Sequence, residues 1–272
     1  MAFKLEQLEY QEKAIKSIVN VFNGQIRNNY QNSTKEGIRT NYLSLSEEEI
    51  KQNIKNVIKE NGIPEETAKL SDIQDVCIEM ETGTGKTLVY LKTIYELFNR
   101  YGFTKFIILV PSVAIKEGVI SAFKMFKEQL NEMFNIEPKM IEYDSKHITK
   151  LIGFIEEQHP QILVLTVQSF NSDDKVLHRA NREDLFANIA YIEAIGKTNP
   201  IIIMDEPQVS MSTDNFQEKL QSLNPMINLR YSATHKEIYN LVYRLTPYDS
   251  YKQGLVKKIE LLTVSERHDE AN

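Results

Sequence analysis

A glycine-containing turn at residues 82–87 (Thr-Gly-Thr-Gly-Lys-Thr) separates an apolar run, Val76 to Ile78, from a helical pattern that begins at Leu88. Strand, glycine turn, Lys-Thr and helix follow one another in this order in phosphate-binding P-loops. Gly83 and Gly85 can adopt backbone angles that other residues avoid, which lets backbone N–H groups point inward at the helix start. N–H groups gathered at the positive end of a helix dipole hold an anion. The turn therefore predicts a nucleotide site.

Two side chains of the turn carry the predicted chemistry. We expect the Lys86 ammonium to bind the β- and γ-phosphates of a nucleotide and the Thr87 hydroxyl to bind magnesium. The full P-loop pattern has a glycine five positions before Gly85, where this chain has Met80. A glycine-rich turn that binds no ligand is the alternative, and the Lys-Thr pair at the helix start argues against it. The predicted nucleotide-binding residues of the turn are Thr82, Gly83, Thr84, Gly85, Lys86 and Thr87.

The composition indicates a globular protein without a generally basic surface, without disulfides and without a membrane span. The chain has 272 residues, of which 26% are charged and 42% hydrophobic, which is ordinary for a globular protein with a sizeable core. Because the formal net charge is −6, contact with nucleic acid must come from a local groove. The single cysteine, Cys77, lies in a predicted buried strand, so we expect no disulfide and a reducing cytoplasm. The longest apolar runs, 106–110 and 162–167, are too short to span a membrane.

The rest of the chain alternates apolar runs with helical patterns. Strands are predicted at 76–80, 105–110, 161–167, 201–205 and about 229–233. Helices are predicted at 5–22, 45–60 and 86–100, and further helices follow the strand at 105–110 as far as about residue 134. Near-continuous apolar strands separated by helices indicate an α/β fold whose parallel sheet is covered by helices on both faces. The region 23–72 is interpreted as an insertion without recognisable chemistry.

An acidic pair, Asp205 and Glu206, follows the predicted strand at 201–205. The carboxyl end of a buried strand is where a P-loop sheet places its second magnesium-binding element. Asp205 would hold magnesium through water, and Glu206 would orient and polarise the attacking water. The alternative is that the two acidic residues are simply part of a charged loop after the strand. The P-loop earlier in the chain argues against this alternative. The predicted catalytic residues are Lys86, Asp205 and Glu206, and the predicted magnesium ligands are Thr87 and Asp205.

A Ser-Ala-Thr tripeptide, Ser232 to Thr234, follows the last predicted strand. Alone it is typical of a turn. After a P-loop and an acidic pair, the Ser232 and Thr234 hydroxyls are expected to couple the state of the nucleotide to another domain. His235, directly after the tripeptide, is equally compatible with a surface position.

Polar residues also follow two other predicted strands. Ser112 and Lys116 come after the strand at 105–110, and Thr166 and Gln168 lie at the end of the strand at 161–167. Hydroxyls and helix N-termini at strand ends bind nucleic-acid phosphates in many proteins. We therefore name these four residues as candidate DNA contacts, with ordinary helix caps as the open alternative.

Several segments together resemble a known family. They are residues 79–87, 110–112, 205–208 and 230–235, with 239–245 and 254–259 as flanks. These segments look like the restriction (Res) subunit of type III restriction–modification enzymes, from about Leu8 to Ile259. The shortened P-loop at 82–87 is the form that superfamily-two helicases and translocases carry.

The resemblance implies a P-loop NTPase with a RecA-like parallel sheet that uses ATP and magnesium. It implies an ATPase that drives communication along double-stranded DNA and supports endonuclease cleavage in the complete enzyme. A methyltransferase (Mod) subunit would read the recognition site. The resemblance also implies that Gln11 recognises adenine and that Gln208, a position occupied by histidine in many relatives, contributes to coupling.

The resemblance suggests a division of the chain into three parts. Residues 1–72 would hold the adenine-recognition helix and a helical insertion, 73–262 the first RecA-like domain, and 263–272 a tail. A second RecA-like domain and a nuclease domain are expected to be absent, either by truncation or because a separate C-terminal Res chain supplies them. Two alternatives stay open: a nucleotide-binding module that docks on a partner without turnover, and the motor of another superfamily-two system, such as a type I restriction subunit.

Overall fold

The computed structural model describes residues 6–29, 37–71, 74–144, 147, 149–171, 189–252 and 254–255. The predicted tail at 263–272, the end of the resemblance at 256–259, and residues 30–36 of the presumed insertion lie outside this set. The helices are α1 (Glu9–Val21), α2 (Glu47–Glu60), α3 (Glu65–Ala68), α4 (Lys86–Tyr101), α5 (Val113–Phe134), α6 (Lys150–Glu156), α7 (Val167–Asn171), α8 (Tyr191–Gly196), α9 (Asp214–Ser222) and α10 (Pro247–Lys252). The strands are β1 (Asp75–Met80), β2 (Lys105–Val110), β3 (Lys139–Glu142), β4 (Gln161–Thr166), β5 (Ile201–Asp205), β6 (Ile227–Ser232) and β7 (Leu241–Leu245).

All seven strands of the described chain form one sheet in the order β3-β4-β2-β5-β6-β1-β7. Every neighbouring pair is parallel, which confirms the predicted parallel sheet. Sequence patterns missed β3 and β7, the two edge strands. An edge strand has one neighbour and can leave side chains exposed, so it needs no continuous apolar run: β3 begins and ends with an exposed charged residue, and β7 exposes Arg244.

Both faces of the sheet are buried under helices, as predicted. Along β2, Phe106, Ile108 and Val110 belong to the core that includes buried residues of α1, α2, α4 and α5. The alternating residues Ile107 and Leu109 belong to a second core with residues of α6, α7, α8 and α9. Because side chains of a strand point to opposite faces in turn, these two memberships define the two covered faces.

The α2 helix packs into the first of these cores although it lies in the region interpreted as an insertion. Its N-terminus has a capping box, in which the Ser46 hydroxyl accepts from the Glu49 backbone N–H at 3.3 Å and the Glu49 carboxylate accepts from the Ser46 N–H at 2.8 Å. Four aliphatic residues of α2 are buried: Ile50, Ile54, Val57 and Ile58. At its C-terminal end, the Asn61 amide donates to the Val242 carbonyl of β7 at 2.5 Å.

Two buried polar residues fasten the end of the sheet opposite the P-loop. The Asn41 amide donates to the carbonyls of Lys105 at 2.9 Å and Asn199 at 3.1 Å, and its oxygen accepts from the Thr104 N–H at 2.8 Å. The fully buried Lys105 ammonium donates to the carbonyls of Phe154 and Glu157 at the end of α6, at 2.5 and 2.6 Å. Burial lowers the pKa of Lys105 to about 7.

None of the helices in the described part of the chain combines the length and the apolar character that a membrane span requires.

Candidate nucleotide site

The turn between β1 and α4 has the backbone conformation that the glycine spacing predicts. Gly83 and Gly85 have φ angles of +83° and +86°, in the left-handed region. The Thr84 hydroxyl donates to the Glu81 carbonyl at 2.6 Å and closes the turn from within. Gly85 is the N-cap of α4 and has no side chain to cap the first N–H groups. The first N–H groups of a helix have no partner within the helix, so those at this turn can donate hydrogen bonds to an anion.

Helix α1 contacts the turn through two side chains. The Gln11 amide nitrogen donates to the Thr84 carbonyl at 3.0 Å, and the Tyr10 hydroxyl donates to the same oxygen at 2.9 Å. A Cβ atom on Gly85 would lie 2.5 Å from the Gln11 amide nitrogen, so glycine is also required for this close approach. The structure thus brings Gln11 to the P-loop. Tyr10 was not predicted, although it directly precedes Gln11.

The acidic pair meets the P-loop across the sheet. Asp205 ends β5, which β6 separates from the P-loop strand β1. The Lys86 ammonium forms an ion pair with Glu206. The Tyr90 hydroxyl of α4 lies 3.4 Å from the Asp205 carboxylate and also interacts with the Thr87 side chain. All three predicted catalytic residues and Thr87 therefore converge at one site.

The two neighbouring carboxyl groups have different proton affinities. Burial raises the pKa of Asp205 to about 6, against the opposing effect of the nearby Lys86 charge. Burial also raises the pKa of Glu206, but hydrogen bonds from Lys86, Gln208 and Ser232 and the Lys86 charge together bring it below its usual value. Glu206 is therefore ionised at neutral pH and has the protonation state of a base. Asp205 is a buried carboxylate that a cation would stabilise.

The donor set at this site fits magnesium. Thr87 offers a hydroxyl and Asp205 a carboxylate, and both are the hard oxygen ligands that magnesium prefers. Within the described residues, no group of three or more His, Cys, Asp or Glu side chains could enclose a metal by itself. Magnesium commonly binds through one or two protein oxygens while water and substrate phosphates fill its remaining positions.

Glu206 is also linked to the end of β6. The Gln208 amide nitrogen donates to Glu206 Oε2 at 2.5 Å, and the Ser232 hydroxyl lies 2.8 Å from the same oxygen. Ser232 Oγ also lies 2.9 Å from Gln208 Oε1 and 2.8 Å from the Thr234 carbonyl, so its single proton has three competing acceptors. The Thr234 side chain is exposed, and its backbone N–H donates to Ser232 at 3.1 Å. The predicted coupling residues thus lie together, with Ser232 at the centre.

His235 is half-buried beside this network, so the surface position considered above is not what the structure shows. Its Nε2 lies 3.3 Å from the Ile78 carbonyl of β1. Burial lowers the pKa of His235 to about 4, so the ring is neutral at physiological pH. A neutral ring that contacts this carbonyl donates from Nε2, which leaves Nδ1 as an acceptor.

The four candidate DNA contacts lie at the C-terminal ends of the adjacent strands β2 and β4, but the side chains of three of them have partners within the protein. Exposed Ser112 caps α5, accepting from the Ile115 N–H at 3.3 Å, and Gln168 is exposed. Lys116 forms an ion pair with Glu142, a residue of the edge strand that sequence analysis missed. Thr166 is only 3% exposed, and its hydroxyl lies 2.8 Å from the Ser169 hydroxyl. The structure therefore does not present the Thr166 hydroxyl for contact with DNA.

Three features define a P-loop NTPase with a RecA-like fold: the strand order of the sheet, the P-loop after β1, and the acidic pair after β5, which is separated from β1 by one strand. A family profile described as the Res subunit of type III restriction enzymes matches residues 4–237. The chain therefore belongs to the Res-subunit family of type III restriction enzymes, which confirms the resemblance found in the sequence.

Curated relatives carry the same description. The chain is 33% identical over 280 residues to the EcoP15I Res subunit of Escherichia coli, with 94% of this chain and 29% of the relative covered. It is 30% identical over 277 residues to the EcoPI Res subunit of Escherichia phage P1, with 93% of this chain and 28% of the relative covered. The chain thus spans less than a third of the length of these relatives.

Two solved structures also match this chain at low sequence identity. Mss116p bound to single-stranded RNA and AMP-PNP is 16% identical, with a TM-score of 0.44 over 71% of this chain and 43% of that one. The type ISP restriction-modification enzyme LlaGI, in complex with a DNA substrate mimic, is also 16% identical, with a TM-score of 0.43 over 75% of this chain and 20% of that one.

Proposed function

We propose that this chain is the ATP-binding motor domain of a type III Res subunit, and that ATP with magnesium binds at the P-loop. The observation that supports the proposal is the contact network that joins three motifs. Lys86 from the P-loop contacts Glu206 after β5, and Glu206 contacts Ser232 at the end of β6. Such a network can transmit the presence of a nucleotide from one strand end to the next.

Each residue has a distinct task in this proposal. The Lys86 ammonium holds the terminal phosphates, which compete with Glu206 for its charge. Glu206, ionised and held by Gln208 and Ser232, is then available to orient and accept a proton from the attacking water. Thr87 and Asp205 would hold magnesium, which neutralises phosphate charge when bound. Gln11, which lies against the P-loop, would contact the base of the nucleotide.

In the complete enzyme we propose that this domain supports ATP-dependent translocation on double-stranded DNA and thereby endonuclease cleavage, in the cytoplasm and with a Mod subunit. A separate C-terminal Res chain could supply the remaining domains. An arginine supplied across a domain interface accelerates phosphoryl transfer by about 10³- to 10⁵-fold where it has been measured. We therefore expect very slow ATP hydrolysis by this chain alone. The alternative of a docking module without turnover predicts retention of a Mod partner and no hydrolysis in the reconstituted complex.

Nucleotide binding by Lys86→Ala tests the first part of the proposal. Lys86→Ala should abolish magnesium-ATP binding measured by calorimetry, because the charge that holds the phosphates is lost. Lys139→Ala is the matched control. Lys139 also forms an ion pair with a glutamate, Glu157, but Lys139 lies on the edge strand β3, away from the P-loop. Circular dichroism should show both variants folded. Undiminished ATP affinity in Lys86→Ala would refute the proposed site.

A further inference from the structure

One carbonyl oxygen of the P-loop accepts two hydrogen bonds from helix α1. The Tyr10 hydroxyl and the Gln11 amide nitrogen both donate to the Thr84 oxygen, at 2.9 and 3.0 Å, and lie 3.3 Å from each other. Both side chains are buried, with 9% and 7% of their surface exposed. A carbonyl oxygen has two lone pairs, so these two donors satisfy it fully.

The position of this carbonyl makes it an effective place to fix the turn. Thr84 lies between Gly83 and Gly85, which both have left-handed backbone angles. Glycine loses more conformational entropy on ordering than any other residue, so a turn with two glycines has a large entropic cost of ordering. Interactions that order the turn before ligand binding reduce the entropic cost of binding. Tyr10 belongs to the core that includes α4, so its hydroxyl is held on a rigid element.

The two donors differ in what else they can do. The Gln11 amide nitrogen donates to the Thr84 carbonyl and to the Tyr10 hydroxyl, while the carbonyl oxygen of the same amide is an acceptor that can contact the edge of a base. The Tyr10 hydroxyl has a single proton, and this proton is directed at the P-loop. A base that reorients the Gln11 amide would compete with its bonds to Thr84 and Tyr10, whereas the Tyr10 hydroxyl keeps its own bond to the Thr84 carbonyl.

We propose that Tyr10 is a positioning residue that holds the P-loop turn ready for phosphates irrespective of the base, while Gln11 adds the part of binding that depends on the base. This inference rests on the proposed nucleotide-binding function. It assigns to Tyr10 a role in affinity for any ligand with a triphosphate group.

The test compares magnesium-ATP with magnesium-tripolyphosphate, which has no base, in calorimetric titrations of three variants. Tyr10→Phe keeps the ring and removes the hydroxyl, and it should weaken both ligands by the same factor of roughly two to ten, the equivalent of one hydrogen bond. Gln11→Ala should weaken ATP more than tripolyphosphate. Tyr101→Phe is the matched control, because the Tyr101 hydroxyl donates to the Val19 carbonyl of α1 at 2.9 Å, away from the site. It should leave both affinities unchanged.

A second measurement separates positioning from general destabilisation. Amide hydrogen exchange at Thr84 and Val89, whose N–H groups donate to the Glu81 and Gly85 carbonyls, should be faster in Tyr10→Phe than in Tyr101→Phe. The comparison is made under conditions in which the two variants have the same free energy of unfolding. Unchanged affinities in Tyr10→Phe, a loss confined to ATP, or equal exchange in the two variants would overturn the inference. Wild-type chain that binds neither ligand would instead refute the proposed function. Tripolyphosphate binding that survives Lys86→Ala would identify a different phosphate site.

Discussion

Gly85→Ala should destabilise the chain more than Gly83→Ala, although the two glycines have almost the same backbone angle. Their φ values are +86° and +83°, so an alanine at either position incurs a similar left-handed strain of about 1–2 kcal/mol. The opposing gain from restricting the unfolded chain, about 0.4–1 kcal/mol, is also shared. The difference between the variants therefore reports what surrounds each Cβ atom.

The surroundings differ because of Gln11. A Cβ atom on Gly83 meets nothing within 4 Å, whereas one on Gly85 would lie 2.5 Å from the Gln11 amide nitrogen. The amide is the end of a flexible side chain and can move aside, but it then loses its 3.0 Å bond to the Thr84 carbonyl. Gln11 is 7% exposed, so the displaced amide loses a partner in a buried position. We expect an additional loss of about 1–2 kcal/mol in the free energy of unfolding.

Urea unfolding of a double-mutant cycle measures this difference. The midpoint for Gly85→Ala should lie roughly 0.3–1 M below that for Gly83→Ala, given the usual dependence of stability on urea. In a Gln11→Ala background the contact is gone, and the two midpoints should become equal. Equal midpoints in the wild-type background, or a difference that persists without Gln11, would show that the close approach of Gln11 to Gly85 is not what distinguishes the two glycines.

Three further outcomes follow from the structure. The pKa of Lys105 falls from about 10.5 to about 7 on folding, so the unfolded chain binds more protons than the folded chain between pH 7 and 10.5. The free energy of unfolding should therefore rise with pH across that range. In Lys105→Met, the rise in urea midpoint between about pH 7 and about pH 9.5 should be smaller than in the wild type. Asn41→Ala removes four hydrogen bonds to the backbone and should lower the unfolding free energy by more than about 2 kcal/mol, whereas exposed Asn56→Ala should change it by less than about 0.5 kcal/mol. Fluorescence titration with two DNA duplexes of unrelated sequence should show weak binding of equal affinity. A plot of the logarithm of the binding constant against the logarithm of the salt concentration should have a slope of only about −1 to −3, because few phosphates are neutralised. Tight binding of one duplex would contradict this expectation.

The central strands could be predicted because their environment is uniform. Strands β2, β4 and β5 are buried on both faces, so almost every position is apolar and the sequence pattern is continuous. The P-loop could be predicted because its conformation is determined within a few residues by Gly83 and Gly85. Edge strands carry a weaker pattern. That weakness affected the prediction for Lys116, which forms an ion pair with Glu142 of the unpredicted strand β3.

Contacts between distant residues could not be predicted by the same means. Tyr10 and Thr84 are 74 positions apart, and Tyr90 and Asp205 are 115 apart. Both contacts depend on how α1 and α4 pack over the sheet, which is a property of the three-dimensional fold. A buried tyrosine hydroxyl usually finds a partner, but the sequence gives no indication of which one.

The backbone at Glu206 illustrates why the acidic pair functions as a unit. Asp205 is aligned with Tyr231 in the register of β5 and β6, so its side-chain direction is determined by the sheet. If the chain continued as an extended strand, the next side chain would point to the opposite face. Glu206 instead has a φ of +50°, which turns the chain, and the following Pro207 disfavours a right-handed helical conformation here. A non-glycine residue in this region carries strain of about 1–3 kcal/mol, and the bonds of Glu206 to Lys86, Gln208 and Ser232 offset it. The strained turn thus lets two consecutive carboxyl groups reach the same site, Asp205 near the Tyr90 hydroxyl and Glu206 against the Lys86 ammonium.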